Sequence, residues 1–365
     1  MSDRHWMEQA LALGALAEEE TSPNPRVGCI AVKDGRVVGR GLHRAPGLPH
    51  AEVLALREAG AAAAGSTLYV NLEPCSHHGR TPPCAELVVR SRVARVCAAL
   101  QDPNPLVDGR GFSILRAAGV QVDVGLLAEE SERLNEPFLH FHRRGRPLVT
   151  LKAAVSLDGQ TAAREGRSRW ISGPPSRRLA HRLRLRHDAV LVGAGTARRD
   201  DPLLTVRLPG VRAPRWRCVL APRLDLDPGA RLFRAGAGER PPRLYGAATA
   251  DPLAEERFGG LAHVVRVPSR GERLDLDAVL ADLAGRGVQS LLVEGGARTL
   301  AGFLEAGRAE RLALFVAPRL IGARGATPLV DLPAAAEPAA AWRLERVQRI
   351  GLDEDLLVLG GLRPA

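Results

Sequence analysis

The chain has 365 residues, 45% hydrophobic and 25% charged, a length that exceeds one ordinary core and predicts two domains. No run approaches the roughly 18–20 apolar residues of a membrane helix, and Met1-Ser2-Asp3-Arg4-His5 leads into an amphipathic pattern rather than an export signal, so a cytoplasmic protein is expected. The formal charge of +10 is spread over dispersed arginines, with four Trp, two Tyr and seven Phe to stack on bases; it suits phosphorylated small molecules better than nucleic acid.

Apolar residues at helical spacing (Trp6, Ala10, Leu13, Ala17) predict a helix over 6–19, stopped by the turn-rich Thr21-Ser22-Pro23-Asn24-Pro25. Strands over 27–32 and 37–41 form a hairpin turning at Lys33-Asp34-Gly35. A helix over 51–59 carries Glu52 in its first turn, and a strand over 67–72 runs into Glu73-Pro74-Cys75. Helices over 85–91 and 112–118 alternate with strands over 93–100 and 120–124, the rhythm of an α/β layered sheet. The polar run Phe141-His142-Arg143-Arg144-Gly145-Arg146-Pro147 predicts a boundary near 145, dividing the chain into 1–145 and 146–365. Beyond it come a strand over 148–155, a helix over 175–186, a strand over 189–192, a glycine loop over 193–196 and a strand over 217–220. A strand over 288–293, the loop Glu294-Gly295-Gly296, a helix over 299–305 and a strand over 312–317 complete the pattern; the stretch 228–270, rich in Gly, Pro, Ala and Arg, is weakly patterned.

The chemistry concentrates in a split constellation: His50-Ala51-Glu52, then Pro74-Cys75, then Cys84 closing a C-x8-C pair. One imidazole and two thiols hold a zinc ion and leave its fourth position for water, whose pKa the metal lowers. Glu52 is then placed as a proton carrier, and H-x-E followed by P-C and a second Cys is a signature of zinc nucleobase deaminases. Cys29, Cys97 and Cys218 sit in apolar runs and read as packing; an odd total of five cysteines argues against a disulfide framework. The competing reading is a closed structural zinc with His77 or His78 as fourth ligand, which leaves Glu52 without a task.

In the second half, glycine loops at 193–196 and 294–296 directly follow strands, so backbone N–H groups can receive a phosphate. Gly193-Ala194-Gly195 lacks the third glycine of a dinucleotide fingerprint, Arg198 standing in its place, but with Trp170 to cover a flat ring and Asp200-Asp201 beside it a phosphate-bearing cofactor is expected. Only Lys33 and Lys152 are lysines in a chain that otherwise uses Arg. Lys33 belongs to the hairpin turn, whereas Lys152, in an apolar strand, reads as a ligand contact.

The loop Pro74-Cys75-Ser76-His77-His78-Gly79-Arg80-Thr81-Pro82-Pro83-Cys84 resembles that of the bifunctional riboflavin-biosynthesis deaminase/reductases. The resemblance extends in order through Lys152-Ala153-Ala154, Ser156-Leu157-Asp158-Gly159, Trp170-Ile171, 193–196, Asp201-Pro202, Leu204-Thr205-Val206-Arg207 and Glu294-Gly295-Gly296, nearly the whole chain. It implies a three-layer deaminase domain like that of cytidine deaminases, followed by an α/β domain similar to dihydrofolate reductase. It also implies two consecutive steps: zinc-dependent hydrolysis of the ring 2-amino group of 2,5-diamino-6-ribosylamino-4(3H)-pyrimidinone 5′-phosphate, then NADPH-dependent reduction of the ribosyl group to ribityl.

Carried over residue by residue, His50, Cys75 and Cys84 match the zinc ligands, Glu52 the proton shuttle, and Asn24 and His43 the deaminase pocket. Ala154, Trp170, Thr196, Asp200 and the loop Gly296, Ala297, Arg298, Thr299, Leu300, Ala301, Gly302 match NADP positions. Ser168, Arg184, Leu204, Arg207 and Glu294 match substrate positions, the two arginines suiting the 5′-phosphate. One departure is Ala221, where members often carry an acidic residue; it bears on a loop contact near the cofactor. A homo-oligomer is expected. Two rivals remain: a tRNA or nucleotide deaminase fused to an unrelated reductase, and a nucleic-acid-binding protein with a closed zinc site.

Overall fold

The computed structural model describes residues 1–17, 21–77, 82–168, 170–211, 215–234, 236 and 239–364. The tail of the predicted first helix at Glu18 and Glu19, and His78-Gly79-Arg80-Thr81 of the thiol loop, lie outside the described residues. The chain separates into two compact units, Met1–Arg146 and Pro147–Ala365.

The first unit runs α1 (Asp3–Ala15), β1 (Gly28–Lys33), β2 (Arg36–Leu42), α2 (Ala51–Ala59), β3 (Thr67–Val70), α3 (Cys84–Arg90), β4 (Arg95–Ala98), α4 (Arg110–Ala117), β5 (Gln121–Val124), α5 (Ala128–Leu134) and α6 (Glu136–Arg144). Its sheet has the order β2-β1-β3-β4-β5, with β1 antiparallel to both neighbours and β3, β4 and β5 parallel. Side chains alternate across a strand, so Cys29, Ala31, Leu68 and Val70 pack with Ala51, Ala55, Val88 and Leu115 of α2, α3 and α4. Ile30, Val32, Tyr69 and Cys97 pack with Trp6, Met7 and Ala10 of α1 on the other face. Three layers result, and Cys29 and Cys97 are core residues.

Helix α2 meets the sheet at backbone distance. A Cβ on Gly41 would stand 1.8 Å from the Ala51 carbonyl oxygen, and one on Gly39 2.0 Å from that of Ala55. With Ala51, Ala55 and Ala59 on its buried face, the helix sinks until its N-terminal turn, carrying His50 and Glu52, is fixed against β2.

The second unit runs β6 (Leu148–Ser156), β7 (Gln160–Ala162), α7 (Pro174–Leu185), β8 (Ala189–Gly193), α8 (Ala194–Asp200), β9 (Trp216–Leu220), β10 (Arg243–Ala247), α9 (Pro252–Glu256), β11 (His263–Val267), β12 (Ser269–Arg270) and β13 (Arg273–Leu274). It continues with α10 (Leu276–Ala284), β14 (Ser290–Val293), α11 (Ala297–Glu305), β15 (Arg311–Ala317), β16 (Thr327–Pro328), β17 (Arg343–Leu352) and β18 (Asp355–Arg363). Nine strands form one sheet, β11-β10-β9-β8-β14-β6-β15-β18-β17, parallel except where β18 pairs antiparallel with β15 and β17. Apolar clusters cover both faces, around Leu191 and Leu291 on one and Val190 and Val219 on the other, as a mostly parallel sheet requires. Among the described residues no helix is long and apolar enough to cross a membrane.

Several elements differ from the sequence expectation. Residues 194–196 are not loop: β8 feeds directly into α8, because Gly193 serves close packing rather than a turn, a Cβ there standing 2.3 Å from Thr299 Oγ1. The polar run 141–147 begins inside α6, whose buried Phe138 and Leu139 lie one turn earlier and whose stop is Gly145 at φ 68°. The first helix ends at Ala15, and α3 begins one residue earlier than expected, at Cys84. Helix α5 and the β17–β18 hairpin were not anticipated, and 228–270 holds β10, α9 and β11.

The glycine contacts carry a prediction. G41A forces a methyl group into the Ala51 carbonyl and should cost about 2–3 kcal/mol of stability, read as a lower urea midpoint; an unchanged midpoint would show that α2 has room to shift.

Candidate active sites

Three segments bring the thiols and the imidazole together. His50 is the N-cap residue of α2, Cys75 follows β3, and Cys84 is the first residue of α3. His50 Nδ1 lies 3.5 Å from Cys75 Sγ and 3.3 Å from Cys84 Sγ, and the three ligand atoms all fall within 4.8 Å of one another. A tetrahedral zinc with bonds of about 2.3 Å to sulfur and 2.0 Å to nitrogen sets N···S separations of about 3.5 Å, so the residues fit the ion. The Cys84 backbone N–H donates to Cys75 Sγ at 3.3 Å, and hydrogen bonds from Cys84 and His50 hold Cys75 on the thiolate side. Among the described residues no fourth His, Cys, Asp or Glu joins the group, and His77 is not a member of it.

Glu52 is buried in the first turn of α2, and burial followed by the charge on Cys75 pushes its carboxyl up to about 7; a bound dication would act in the opposite direction. His43 packs edge to face on His50, ring centres 5.2 Å apart. Its Nδ1 faces the Pro49 carbonyl at 3.2 Å and its Nε2 the Asn24 amide nitrogen at 3.0 Å. Burial lowers the His43 pKa, and the neutral tautomer that satisfies both contacts carries its proton on Nδ1. Asn24 then donates to His43 and keeps its carbonyl oxygen as an acceptor.

Two acids beside this site were missed in the sequence. The Glu73 carboxylate accepts the backbone N–H groups of Asp102 at 3.1 Å, Gly109 at 3.0 Å, Gly111 at 2.8 Å and Phe112 at 3.3 Å. It thereby clamps the 102–112 segment against Pro74, where a Cβ on Gly111 would stand 2.1 Å from the Pro74 carbonyl oxygen. Asp102 is buried, and its carboxyl is pushed up to about 7 by burial, with the charges of Glu73 and Cys75 adding to the effect. The turn signal Asp102-Pro103-Asn104-Pro105 was visible, but nothing in the sequence tied it to the thiols.

In the second unit a cleft of about 1300 Å³ opens at the carboxyl ends of the parallel strands, the usual place for ligands in such sheets. Ala154, Trp170, Thr196, Asp200 and all of 296–302 line it, with Lys152, Ser168 and Glu294. Gly295 and Gly296 have φ of 85° and 65°, a left-handed pair that suits glycine, and they turn the chain from β14 into α11. A Cβ on Gly296 would stand 3.1 Å from Thr196 Oγ1, so the glycines allow the Thr196 and Thr299 hydroxyls to crowd the loop backbone.

A second cavity of about 420 Å³ is lined by Lys152, Trp170, Arg177, Arg178, His181, Arg184, Arg207 and Glu294, among others. Arg184 is not a surface charge: it forks onto Glu294 at 2.6 and 2.8 Å and donates to the Thr205 carbonyl at 2.9 Å. Burial alone would raise the Glu294 carboxyl, but Arg184 and Lys152 outweigh it and hold it at about 2. Lys152 is half-buried; desolvation lowers its pKa, while Glu294 opposes the shift. His181, also missed, accepts the Arg207 backbone N–H on Nδ1 at 3.2 Å. Burial, then Arg184 and Arg207, push it down to about 4, so it is a neutral donor at Nε2.

Leu204 is not brought into either cavity: its side chain is buried with Val219 and Leu232, although its backbone φ is 56°. Ala221 is likewise buried, donating its N–H to the Tyr245 carbonyl, and the cleft is bordered by its neighbours Leu220, Pro222 and Arg223.

Residues 147–356 match the RibD C-terminal domain family, and residues 1–100 the cytidine and deoxycytidylate deaminase zinc-binding region. The riboflavin biosynthesis protein RibD of Bacillus amyloliquefaciens is 43% identical over 329 residues, 90% of this chain and 88% of its own. The chain belongs to the RibD family. A RibD structure from Acinetobacter baumannii superposes with a TM-score of 0.87 at 35% identity, covering 100% of this chain and 99% of the other. The diaminohydroxyphosphoribosylaminopyrimidine deaminase/5-amino-6-(5-phosphoribosylamino)uracil reductase of Thermotoga maritima superposes with a TM-score of 0.82 at 33% identity, covering 99% and 98%. As a RibD protein the chain is a bifunctional riboflavin-biosynthesis enzyme, with a zinc-binding deaminase domain of cytidine-deaminase type and an NADPH-dependent reductase domain of dihydrofolate-reductase type.

Three outcomes follow. C84S should drop bound zinc from one per chain to near zero by elemental analysis, whereas C97S should leave it unchanged; equal zinc in both would remove Cys84 from the site. R184A strands the Glu294 carboxylate and should cost about 3–5 kcal/mol. Because Glu294 is held below its ordinary value of 4.5, its stabilisation is complete above that pH and lost as pH falls towards 2. Denaturation midpoints of wild type and E294Q should therefore converge on going from pH 7 to pH 3, and a constant gap would contradict the pairing.

Proposed function

We propose that residues 1–145 hydrolyse the 2-amino group of 2,5-diamino-6-ribosylamino-4(3H)-pyrimidinone 5′-phosphate, and that residues 146–365 then reduce the ribosyl group of the product to ribityl with NADPH. The observation that carries the first step is the convergence of His50, Cys75 and Cys84 beside a buried Glu52. The activity of the Thermotoga maritima relative supports the substrate.

His50, Cys75 and Cys84 would hold the zinc ion, which when bound lowers the pKa of water at its open position. Glu52 accepts a proton from the attacking water and passes it to the ring nitrogen as the C–O bond forms at C2. It then takes the second proton from the new C2 hydroxyl and delivers it to the amino group, so that the C–N bond breaks, the C2 carbonyl forms and ammonia leaves. Burial raises the Glu52 carboxyl and the bound ion would lower it, and these opposing influences suit a group that must both take and return a proton. Asn24, locked onto His43, presents its carbonyl oxygen to a donor on the ring.

In the reductase, NADPH supplies the hydride. Gly296 to Gly302 and the Thr196 hydroxyl receive its phosphates, Ala154 and Asp200 border it, and Trp170 covers its flat ring. Lys152, half-buried and facing Glu294, donates to the ribosyl oxygen on which negative charge develops. Arg207 and the remaining N–H groups of Arg184, which line the smaller cavity, hold the substrate 5′-phosphate, and Ser168 meets the substrate from the larger cleft. The acceptor is a small phosphorylated pyrimidine, not a nucleic acid, and the compartment is the cytoplasm.

Purified protein given the diaminopyrimidinone phosphate should release one equivalent of ammonia without NADPH, and should oxidise NADPH only once that step has occurred. E52Q should keep its zinc and deaminate about 10³-fold more slowly. Deamination at the normal rate by zinc-loaded E52Q would overturn the mechanism.

A further inference from the structure

The string Ser156-Leu157-Asp158-Gly159 turns the chain from β6 into β7, and a turn of this kind needs only Gly159 at φ 80° and a local hydroxyl. Asp158 does more than that. Its Oδ1 accepts the Ser156 hydroxyl at 2.5 Å and the Ile321 backbone N–H at 3.1 Å, and its Oδ2 accepts the Gly322 N–H at 2.6 Å. The Leu157 N–H donates to the Arg319 carbonyl at 2.7 Å. Three hydrogen bonds therefore bind the 156–159 turn to the turn after β15. These bonds keep the Asp158 carboxyl at about 2, the Ser156 hydroxyl contributing most, so the anchor stays ionised across the working range.

Arg319 lies on the anchored turn and reaches the segment between β7 and α7, donating from Nη1 to the Trp170 carbonyl at 3.1 Å. The Trp170 ring is 62% exposed, so packing alone does not hold it. It is braced from the other side by Arg177, whose guanidinium carbon lies 4.5 Å from the ring centre, and Arg177 is itself tied to the Ser172 carbonyl at 2.7 Å. Trp170 lines both the 1300 Å³ cleft and the 420 Å³ cavity. With Lys152, Arg177 and Glu294 it is one of the residues that the two share.

We propose that Asp158 and Arg319 are positioning residues for the reduction: Asp158 fixes the 319–322 turn, and Arg319 on that turn holds the Trp170 main chain so that the ring stands between cofactor and substrate. Neither residue touches the reacting atoms. The inference rests on the reading that the large cleft takes NADPH and the smaller cavity the phosphorylated substrate.

The test uses the full-length protein and measures ammonia release, NADPH oxidation and the primary deuterium isotope effect with NADPH deuterated at the transferred position. R319A should lower kcat for the reduction and raise KM for NADPH, each about fivefold as expected for one lost hydrogen bond, with a larger isotope effect on kcat and unchanged ammonia release. R319K, which keeps a donor, should recover to within about twofold, and D158N should follow R319A. Wild-type kcat, KM and isotope effect in R319A would overturn the proposal. So would losses in both variants that merely track the amount of folded protein, with KM and isotope effect unmoved. A wild-type protein that deaminates but never oxidises NADPH would instead sink the underlying reading, and this inference with it.

Discussion

Three donor atoms can share one cation only if the segments that carry them are held to within a few tenths of an ångström, and in this protein that constraint falls on backbone packing. Helix α2 has no side-chain cap at His50, so the imidazole is not tied to the helix's own N–H groups and meets the two thiols and the His43 ring instead. It is the contact of Gly39 and Gly41 with the Ala51 and Ala55 carbonyls that sets the height of the helix, and with it the N···S distances. On the other side of the site Glu73 gathers four N–H groups and pulls the 102–112 segment against the residues that precede Cys75. A rigid frame of this sort matters because each misplaced ligand costs coordination geometry directly.

The second unit meets a different demand. A pocket for a phosphorylated substrate needs positive charge, yet concentrated cations repel one another and resist burial. Glu294 resolves this by standing at the end of β14, where it pairs with Arg184 and faces Lys152. Burial, with Arg184 and Arg207, also keeps His181 neutral, so Lys152, His181, Arg184 and Arg207 present a graded set of donors rather than a uniform charge, with Glu294 the acceptor among them. Glycines at 193 and 296 play the part here that Gly39 and Gly41 play in the first unit: they let side-chain oxygens approach backbone.

The alternation of strands and helices was legible because their buried faces carry period-two and helical patterns, and the metal trio was legible because His, Glu and two Cys at fixed spacing have few other uses. What escaped reading has physical reasons. Gly193 and Gly195 look like a turn, but one serves contact with Thr299 and the other sits on an open side of α8. Strand β17 is exposed or half-exposed along its whole length, so it has no apolar face to announce it. Glu73 bonds to main-chain N–H groups and Asp158 largely so, and such partners leave no mark in a sequence. Only the resemblance singled out Arg184 from its neighbours Arg182 and Arg186, because the pairing that distinguishes it depends on β14 placing Glu294 opposite it.

X-ray absorption at the zinc edge of the purified wild-type enzyme tests the central claim most directly. The account predicts two sulfur neighbours at about 2.3 Å, two lighter atoms near 2.0 Å, and the multiple scattering of a single imidazole. A second imidazole, a third sulfur, or no zinc in catalytically active protein would contradict it.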